Sequence, residues 1–253
     1  MGLLKGKTAF ITGTSQGIGA AISKALIDGG CNVCMHYFRS SEEPERLKKL
    51  SEDKGQKAIC IQADLTNEAD VIRCIKEAVE YFGLFDILVN NSGALVERRF
   101  LSHLDMDYWR RVIDINMTTM MLVTKELLPN MNNTEGSSIV NVASLAGRKG
   151  GHPGSLVYSM TKGAVLTWTR SLSSELGSRR IRVNAVAPGF IEGTLFHKTH
   201  TTPESALKTV EGIPLGRAGN PEDVARAVAF LSSEYDGFIT GETIDINGGV
   251  YCA

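Results

Sequence analysis

Apolar positions along the chain fall into two alternating patterns: short β-branched runs, and longer stretches in which they recur at helical spacing. The short runs predict strands at Lys7–Thr12, Asn32–Tyr37, Lys57–Ile61, Phe85–Val89, Ile139–Ser144, Ile181–Ala187 and Thr243–Ile246. Helical spacing predicts helices through Leu26 and Ile27, over 42–54, 67–82, 105–131 and 157–177, and one opened by Asn220 as N-cap with Pro221 behind it. Residues 190–212 are polar and poorly periodic, and a segment of that length is expected to be a substrate lid or a loop. Strand and helix alternate without a repeat, linker or charge block, which indicates one domain over 1–253 built on a parallel sheet covered on both faces.

A chain of 253 residues can bury a large core. Its 27 basic and 28 acidic residues balance, so nothing points to nucleic acid or an acidic membrane as partner. The five cysteines have no framework spacing and read as reduced, buried thiols; Cys31 and Cys34 form a C-x-x-C without a second metal-ligand pair. The N-terminus is too short and polar for a signal peptide, and no apolar run approaches the ~20 residues of a membrane span. A cytoplasmic protein is expected, with no metal.

The first strand runs directly into Gly13-Thr-Ser15-Gln16-Gly17-Ile18-Gly19 and a helix. Glycines there let the backbone approach a pyrophosphate, and the helix start offers unpaired N–H groups and a positive dipole. The spacing is G-x-x-x-G-x-G rather than G-x-G-x-x-G. A carboxylate at the end of the second strand would select NAD(H) by accepting both ribose hydroxyls. Here His36-Tyr37-Phe38-Arg39-Ser40 stands instead, and Arg39 with Ser40 suits a 2′-phosphate, so NADP(H) is expected ahead of NAD(H). Asp64-Leu65 leaves the third strand, where Asp64 either accepts from an adenine amine or caps the helix near Asn67. Asn90-Asn91-Ser92-Gly93-Ala94 makes a small polar turn at the carboxyl end of the fourth strand, where doubly wound sheets bind ligands.

Between Ile139 and Arg170 a buried strand ends at Ser144, glycines and a proline break the chain, and a helix begins near Tyr158. Tyr158 and Lys162 are four residues apart and share a helix face. A free phenol has a pKa of about 10, and a fixed ammonium would move it toward neutrality. Ser144 could then hold a substrate oxygen beside that phenol. A lone Y-x-x-x-K is otherwise an ordinary exposed pair. Asn116, polar among apolar helix positions, either holds a water or makes a local helix bond.

With these pieces in order, together with Pro188-Gly189, Asn220-Pro221-Glu-Asp-Val-Ala and Ile239-Thr-Gly241-Glu-Thr-Ile-Asp-Ile-Asn-Gly-Gly249, the chain resembles the short-chain dehydrogenase/reductase family along nearly its whole length. The resemblance implies a single-domain Rossmann-like doubly wound α/β fold of about seven strands in the order 3-2-1-4-5-6-7, with helices on both faces. It implies Tyr158 as general acid or base, Lys162 as its tuner and ribose holder, Ser144 as carbonyl orienter and Asn116 as support for a water-linked proton path. It assigns the cofactor to Gly13, Ser15, Gln16, Gly17, Ile18, Gly19, Arg39, Ser40, Asp64, Leu65, Asn91, Ser92, Gly93, Tyr158 and Lys162, with Pro188, Gly189, Ile191 and Thr194 toward the carboxamide. Three departures stand out: Ser92 replaces the usual alanine, Thr194 is displaced by one residue, and Gln16 stands where many NADP-preferring members carry a base.

The implied activity interconverts a carbonyl and a secondary alcohol on a small-molecule substrate, as in a 3-oxoacyl-carrier-protein reductase or in a sugar, polyol or steroid dehydrogenase. A non-catalytic cofactor-binding scaffold is the competing reading. Candidate pocket walls are Leu95, Val96, Leu145, Phe190, Leu195 and Phe196, with Arg98, Arg148, Lys149, His152 and His197 near entrances. A homodimer or homotetramer through the helices near 105–131 and 157–177 is implied, although Met117, Met120 and Met121 suit a core equally well.

Overall fold

The computed structural model describes residues 4–194, 199, 202–233 and 237–252. Its strands are β1 Thr8–Ile11, β2 Asn32–Tyr37, β3 Ala58–Gln62, β4 Ile87–Asn90, β5 Ser137–Val142, β6 Ile181–Pro188 and β7 Thr243–Ile246. They form one seven-stranded sheet in the order β3-β2-β1-β4-β5-β6-β7, parallel throughout. The order reverses between β1 and β4, and the crevice beyond their carboxyl ends is where such sheets take ligands.

The helices are α1 Gly17–Asp28, α2 Glu42–Asp53, α3 Glu68–Phe82, α4 Met106–Ile113, α5 Thr119–Leu127, α6 Leu145–Lys149, α7 Leu156–Leu176, α8 Pro203–Glu211 and α9 Pro221–Ser232. Successive strand residues point to opposite faces, so the apolar runs feed two cores at once. Ala9, Ile11, Val33, Met35, Val89 and Val140 meet α1 and α9 on one face, through residues such as Ile22, Leu26, Val224 and Val228. Phe10, Cys34, Leu88, Ile139 and Val183 meet α3 and α5 on the other, through Val71, Cys74, Val123 and Leu127. Phe10 is fully buried with Phe85 edge-on at 6.0 Å; truncating such a side chain costs about 3–5 kcal/mol.

Three local features differ from the sequence expectation. The long helix over 105–131 is interrupted by a π-helical turn, Asp114–Thr118, centred on buried Asn116. The supposedly irregular segment 190–212 contains α8, with Thr202 accepting from Ser205 N–H and Pro203 opening the helix. No α8 side chain is buried, so its apolar pattern is too weak to announce the helix; the Thr-Pro-Glu start was the readable signal. Cys31, Cys34 and Cys74 are buried free thiols as expected, but Cys60 is half-buried and Cys252 is exposed. Met117, Met120 and Met121 pack into the core. Asn220 and Asp223 form a reciprocal capping box at the start of α9. No helix among the described residues is long and apolar enough to cross a membrane.

Candidate active site

One cleft of about 1870 Å³ opens along the carboxyl ends of the strands. That exceeds the roughly 300–1,000 Å³ of a pocket for one drug-sized molecule, and so leaves room for a dinucleotide and a substrate together. At one end lies the turn between β1 and α1. Gly13 and Gly17 have φ of +70° and +55°, a backbone that side chains resist. A Cβ on Gly19 would stand 2.1 Å from the Gly13 carbonyl oxygen, so the turn closes only around glycine. Gln16, the residue ahead of α1, makes no side-chain cap, which leaves the first helical N–H groups facing the cleft. This cradle fits a pyrophosphate.

The turn is held from two sides. The Asn91 side chain donates to the carbonyls of Thr12 and Gly13 at 2.9 and 3.0 Å, while Thr12 Oγ1 accepts from Asn91 N–H and Ser92 N–H. From β2, His36 Nδ1 accepts from Gly13 N–H at 3.1 Å, and its Nε2 lies 3.0 Å from the Ala63 carbonyl. One nitrogen must accept and the other donate, so the ring is neutral with its proton on Nε2. Burial pushes its pKa down to about 4. In the sequence Arg39 and Ser40 carry the cofactor expectation and His36 carries none; a histidine near the end of an apolar strand is the signal for it.

Arg39, exposed, lies over the Phe38 ring at 5.4 Å, and Ser15 Oγ donates to the Ser40 carbonyl at 2.7 Å. All four line the cleft, with Asp64 and Leu65. Asp64 Oδ1 accepts from the N–H and hydroxyl of Thr66; the cap of α3 is Asn67, so the proposed capping role of Asp64 is corrected. Thr194 is buried with its hydroxyl donating to the Ile191 carbonyl, and its methyl lies 3.5 Å from where a Gly17 side chain would start. The one-residue displacement therefore still brings Thr194 to the glycine turn. Pro188, Gly189, Phe190 and Ile191 line the same wall.

At the other end, β5 delivers Ser144, which caps α6 by accepting from Ala146 N–H at 3.1 Å. Helix α7 brings up Tyr158 and Lys162, both buried and both lining the cleft. Ser144 hydrogen-bonds the Tyr158 hydroxyl. Lys162 Nζ donates to the Val142 carbonyl at 2.8 Å and stands 5.9 Å from the centre of the Tyr158 ring. The expected lowering of the phenol pKa is not found in the chain alone. Burial raises Tyr158 above its ordinary range, against the opposing pull of Ser144, and burial pushes Lys162 down to about 8. Desolvation penalises both charged forms, and at Tyr158 it outweighs the Ser144 hydrogen bond.

Asn116 lies behind the cleft rather than on its surface. Its Nδ2 donates to the carbonyls of Ala94 and Val112 at 2.8 and 2.9 Å, and its Oδ1 accepts from Ala94 N–H at 3.1 Å. Both amide hydrogens are used by backbone. The side chain thus anchors the turn after β4 and stabilises the π-helical turn, which supports the local-bond alternative for that side chain. A Cβ on Gly93 would stand 2.7 Å from Asn116 Oδ1 and 3.1 Å from Lys162 Nζ, so this glycine keeps the two close.

Of the expected pocket walls, Leu95, Val96, Leu145 and Phe190 line the cleft, as do Arg98, Lys149 and His152. Leu195, Phe196 and His197 lie outside the described residues. Arg148 does not stand at an entrance: its guanidinium pairs with Asp245 at 3.1 Å and donates to the Thr243 carbonyl, tying α6 to β7. Gly147 carries no local mark of its role in the sequence. A Cβ there would stand 2.5 Å from the Lys162 carbonyl carbon, so α6 crosses α7 at backbone contact. The glycine at 163 inside a helix, where it is otherwise unfavourable, was a signal for that crossing.

A family model described as enoyl-(acyl carrier protein) reductase matches residues 13–251. The chain is 38% identical over 245 residues to a 3-oxoacyl-[acyl-carrier-protein] reductase from Staphylococcus aureus strain Mu50, covering 97% of this chain and 98% of that one. Among solved structures, a short-chain dehydrogenase/reductase from Serratia marcescens BCRC 10948 superposes with a TM-score of 0.92 at 32% identity, over 99% of this chain and 100% of that one. A blue fluorescent protein from a metagenomic library, solved in complex with NADPH, matches with a TM-score of 0.91 at 32% identity over the same shares.

Proposed function

Because the chain belongs to the short-chain dehydrogenase/reductase family, we propose that it is an NADP(H)-linked oxidoreductase interconverting a carbonyl and a secondary alcohol, in the manner of a 3-oxoacyl-carrier-protein reductase. The observation that carries this reading is the buried cluster of Ser144, Tyr158 and Lys162 at one end of a cleft whose other end is a glycine cradle. When bound, the dinucleotide supplies or accepts the hydride. Gly13, Ser15, Gln16, Gly17, Ile18 and Gly19 would seat its pyrophosphate, with Asn91, Ser92 and Gly93 beside the nearer ribose. Asp64 and Leu65 would meet the adenine, Arg39 and Ser40 the 2′-phosphate, and Pro188, Gly189, Ile191 and Thr194 the carboxamide.

The protein's own part in the chemistry is the proton. Ser144 Oγ and the Tyr158 hydroxyl form a pair to which a carbonyl oxygen can be held. Tyr158 gives its proton to that oxygen in reduction and takes it back in oxidation. A buried phenol whose pKa is raised stays protonated at neutral pH, so Lys162 must carry its charge for Tyr158 to reach the phenolate that accepts a proton in oxidation. Lys162, at about 8, is mostly protonated at neutral pH. Asn116 holds Ala94 and the helical turn in place, and the family resemblance would add support for a water-linked proton path. The segment 190–212 would act as the lid: Thr202, the N-cap of α8, and Ser205, Lys208 and Thr209 within that helix line the cleft.

Sugar, polyol or steroid carbonyls are the alternative substrates, with NAD(H) the alternative cofactor because Gln16 is uncharged. Exposed Met106, Leu156 and Met160 on α4 and α7 support a dimer or tetramer assembled through those helices, and the free thiols suit the cytoplasm. The test is NADPH and NADH oxidation with 3-oxoacyl thioesters, sugars, polyol-derived ketones, ketosteroids and an enoyl thioester. NADPH-linked turnover of the 3-oxoacyl thioester is expected. Turnover of the enoyl thioester alone would replace carbonyl reduction with double-bond reduction, and dinucleotide binding without any turnover would leave a scaffold.

A further inference from the structure

Among the described residues only Val96 and Arg180 combine positive φ with a side chain larger than glycine's. Arg180 ends a helical turn, where that conformation is ordinary. Val96 is β-branched and lies at φ +68° on the wall of the cleft, a genuine outlier. It is the centre of a three-residue turn closed by Glu97 N–H donating to the Leu95 carbonyl at 2.9 Å. A γ-turn with positive φ at its centre is the rare, strained hand.

Such strain persists only where the surroundings over-determine it. Upstream, the Asn116 amide grips both backbone polar atoms of Ala94. Downstream, the Tyr108 hydroxyl donates to the Glu97 carbonyl at 2.7 Å, and the Arg99 guanidinium lies over the Tyr108 ring at 4.7 Å while pairing with Glu97 and Asp105. Arg99 N–H donates to the Gly154 carbonyl at 2.9 Å. What the turn achieves is to place a branched side chain on the cleft wall, packed against the apolar group that contains Leu95, Val157 and Tyr158.

We propose that Val96 is a specificity-determining residue whose clamped turn holds an isopropyl group beside Tyr158 and so limits the bulk a substrate may carry next to its reacting carbonyl. This rests on the reading of the cleft as a carbonyl-reducing site. The substrate class it selects is the unbranched 3-oxoacyl chain over its 2-methyl-branched counterpart.

The experiment compares kcat/KM for a linear and a 2-methyl-branched 3-oxoacyl thioester in the wild type, Val96→Ala and Val96→Gly. Removing the branch is expected to raise the branched-to-linear ratio about tenfold or more in both variants, the scale of discrimination per missing methyl group. Val96→Gly is also expected to melt at a higher temperature than Val96→Ala, since glycine takes φ +68° without a Cβ clash. Wild-type enzyme that reduces the linear thioester, with the ratio unchanged in both variants, would overturn the proposal. Wild-type enzyme that reduces neither thioester would instead overturn the 3-oxoacyl reading of the cleft on which the proposal rests.

Discussion

Lys162 points past the Tyr158 ring to a backbone carbonyl: its ammonium donates to Val142 at 2.8 Å, and 5.9 Å separates it from the ring centre. The pair is therefore poised rather than coupled in the chain alone, because burial disfavours ammonium and phenolate alike. The consequence is measurable as stability. A lysine whose folded pKa is about 8 against an unfolded value near 10.5 binds fewer protons folded than unfolded between those limits. Its destabilising effect is complete below pH ~8 and fades as pH rises toward 10.5. Lys162→Met is thus expected to be more stable at pH 7, by about 2 kcal/mol once the lost bond to Val142 is set against the relief. It should also be inactive. Denaturant melts of both proteins at pH 7 and pH 10 check this; a variant less stable at pH 7 would contradict the burial argument.

Tyr158→Phe removes the proton donor and leaves the glycine cradle untouched. Turnover is expected to fall about 10²–10⁴-fold, the usual contribution of one positioned acid or base. Dinucleotide affinity, followed by fluorescence titration, should stay within a fewfold of wild type. Unchanged turnover would remove Tyr158 from the chemistry.

His36 gives a prediction on the acid side. Its folded pKa of about 4 lies below the ordinary 6.5, because burial disfavours the charged ring and outweighs the Ala63 carbonyl and the nearby Asp64, which pull the other way. The unfolded chain takes up the proton first as pH falls, so stability is complete above pH ~6.5 and is lost progressively down to pH ~4. About 3 kcal/mol should disappear across that window. His36→Asn, which has no proton to gain, should show a flatter melting profile between pH ~6.5 and ~4. An equal slope in both proteins would refute the assignment.

Much of this architecture is legible in the chain because a parallel sheet buries both faces of its strands. Runs such as Ser-Ile-Val-Asn-Val and Ile-Arg-Val-Asn-Ala-Val therefore announce β5 and β6 without tertiary information. Gly13, Gly17 and Gly19 could be read for the same kind of reason: the turn's geometry allows little else. What stayed hidden depends on who meets whom. Nothing local to Gly147 says that α7 will pass at backbone contact, and nothing local to Arg148 says that Asp245 lies across from it. The sign of the Tyr158 shift is not legible in the sequence, because spacing reports proximity on a helix face but not the depth of burial.

Arg39 decides the cofactor if the reading of the β2 exit is right. It is exposed, so a charge-assisted bond to a 2′-phosphate should contribute at the low end of about 1.5–3 kcal/mol. Arg39→Ala is expected to lower kcat/KM for NADPH roughly tenfold, that energy converted to a rate, while leaving the value for NADH nearly unchanged. An equal loss with both cofactors would show that Arg39 supports the loop rather than the phosphate.

Gly147 offers the sharpest test of how the site is aligned. Helix α6 begins at the Ser144 cap and crosses α7 where a Cβ on Gly147 would stand 2.5 Å from the Lys162 carbonyl carbon, 2.6 Å from its oxygen and 2.7 Å from Gly163 N. All three are backbone atoms and cannot swing aside, so Gly147→Ala must push α6 away from α7 and carry Ser144 away from Tyr158. Overpacking of this kind costs about 1–3 kcal/mol of stability. A misplacement of about 1 Å at the reacting groups lowers rate about hundredfold. The expected result is a kcat reduced about hundredfold with dinucleotide affinity preserved, because the glycine cradle belongs to β1 and α1. Gly163→Ala is the control on the opposite side of the same crossing: its Cβ would find its nearest neighbour, the Gly147 carbonyl oxygen, at 3.4 Å, an ordinary contact. That variant should keep most of its activity. Full activity in Gly147→Ala would mean that the crossing does not set the Ser144–Tyr158 alignment.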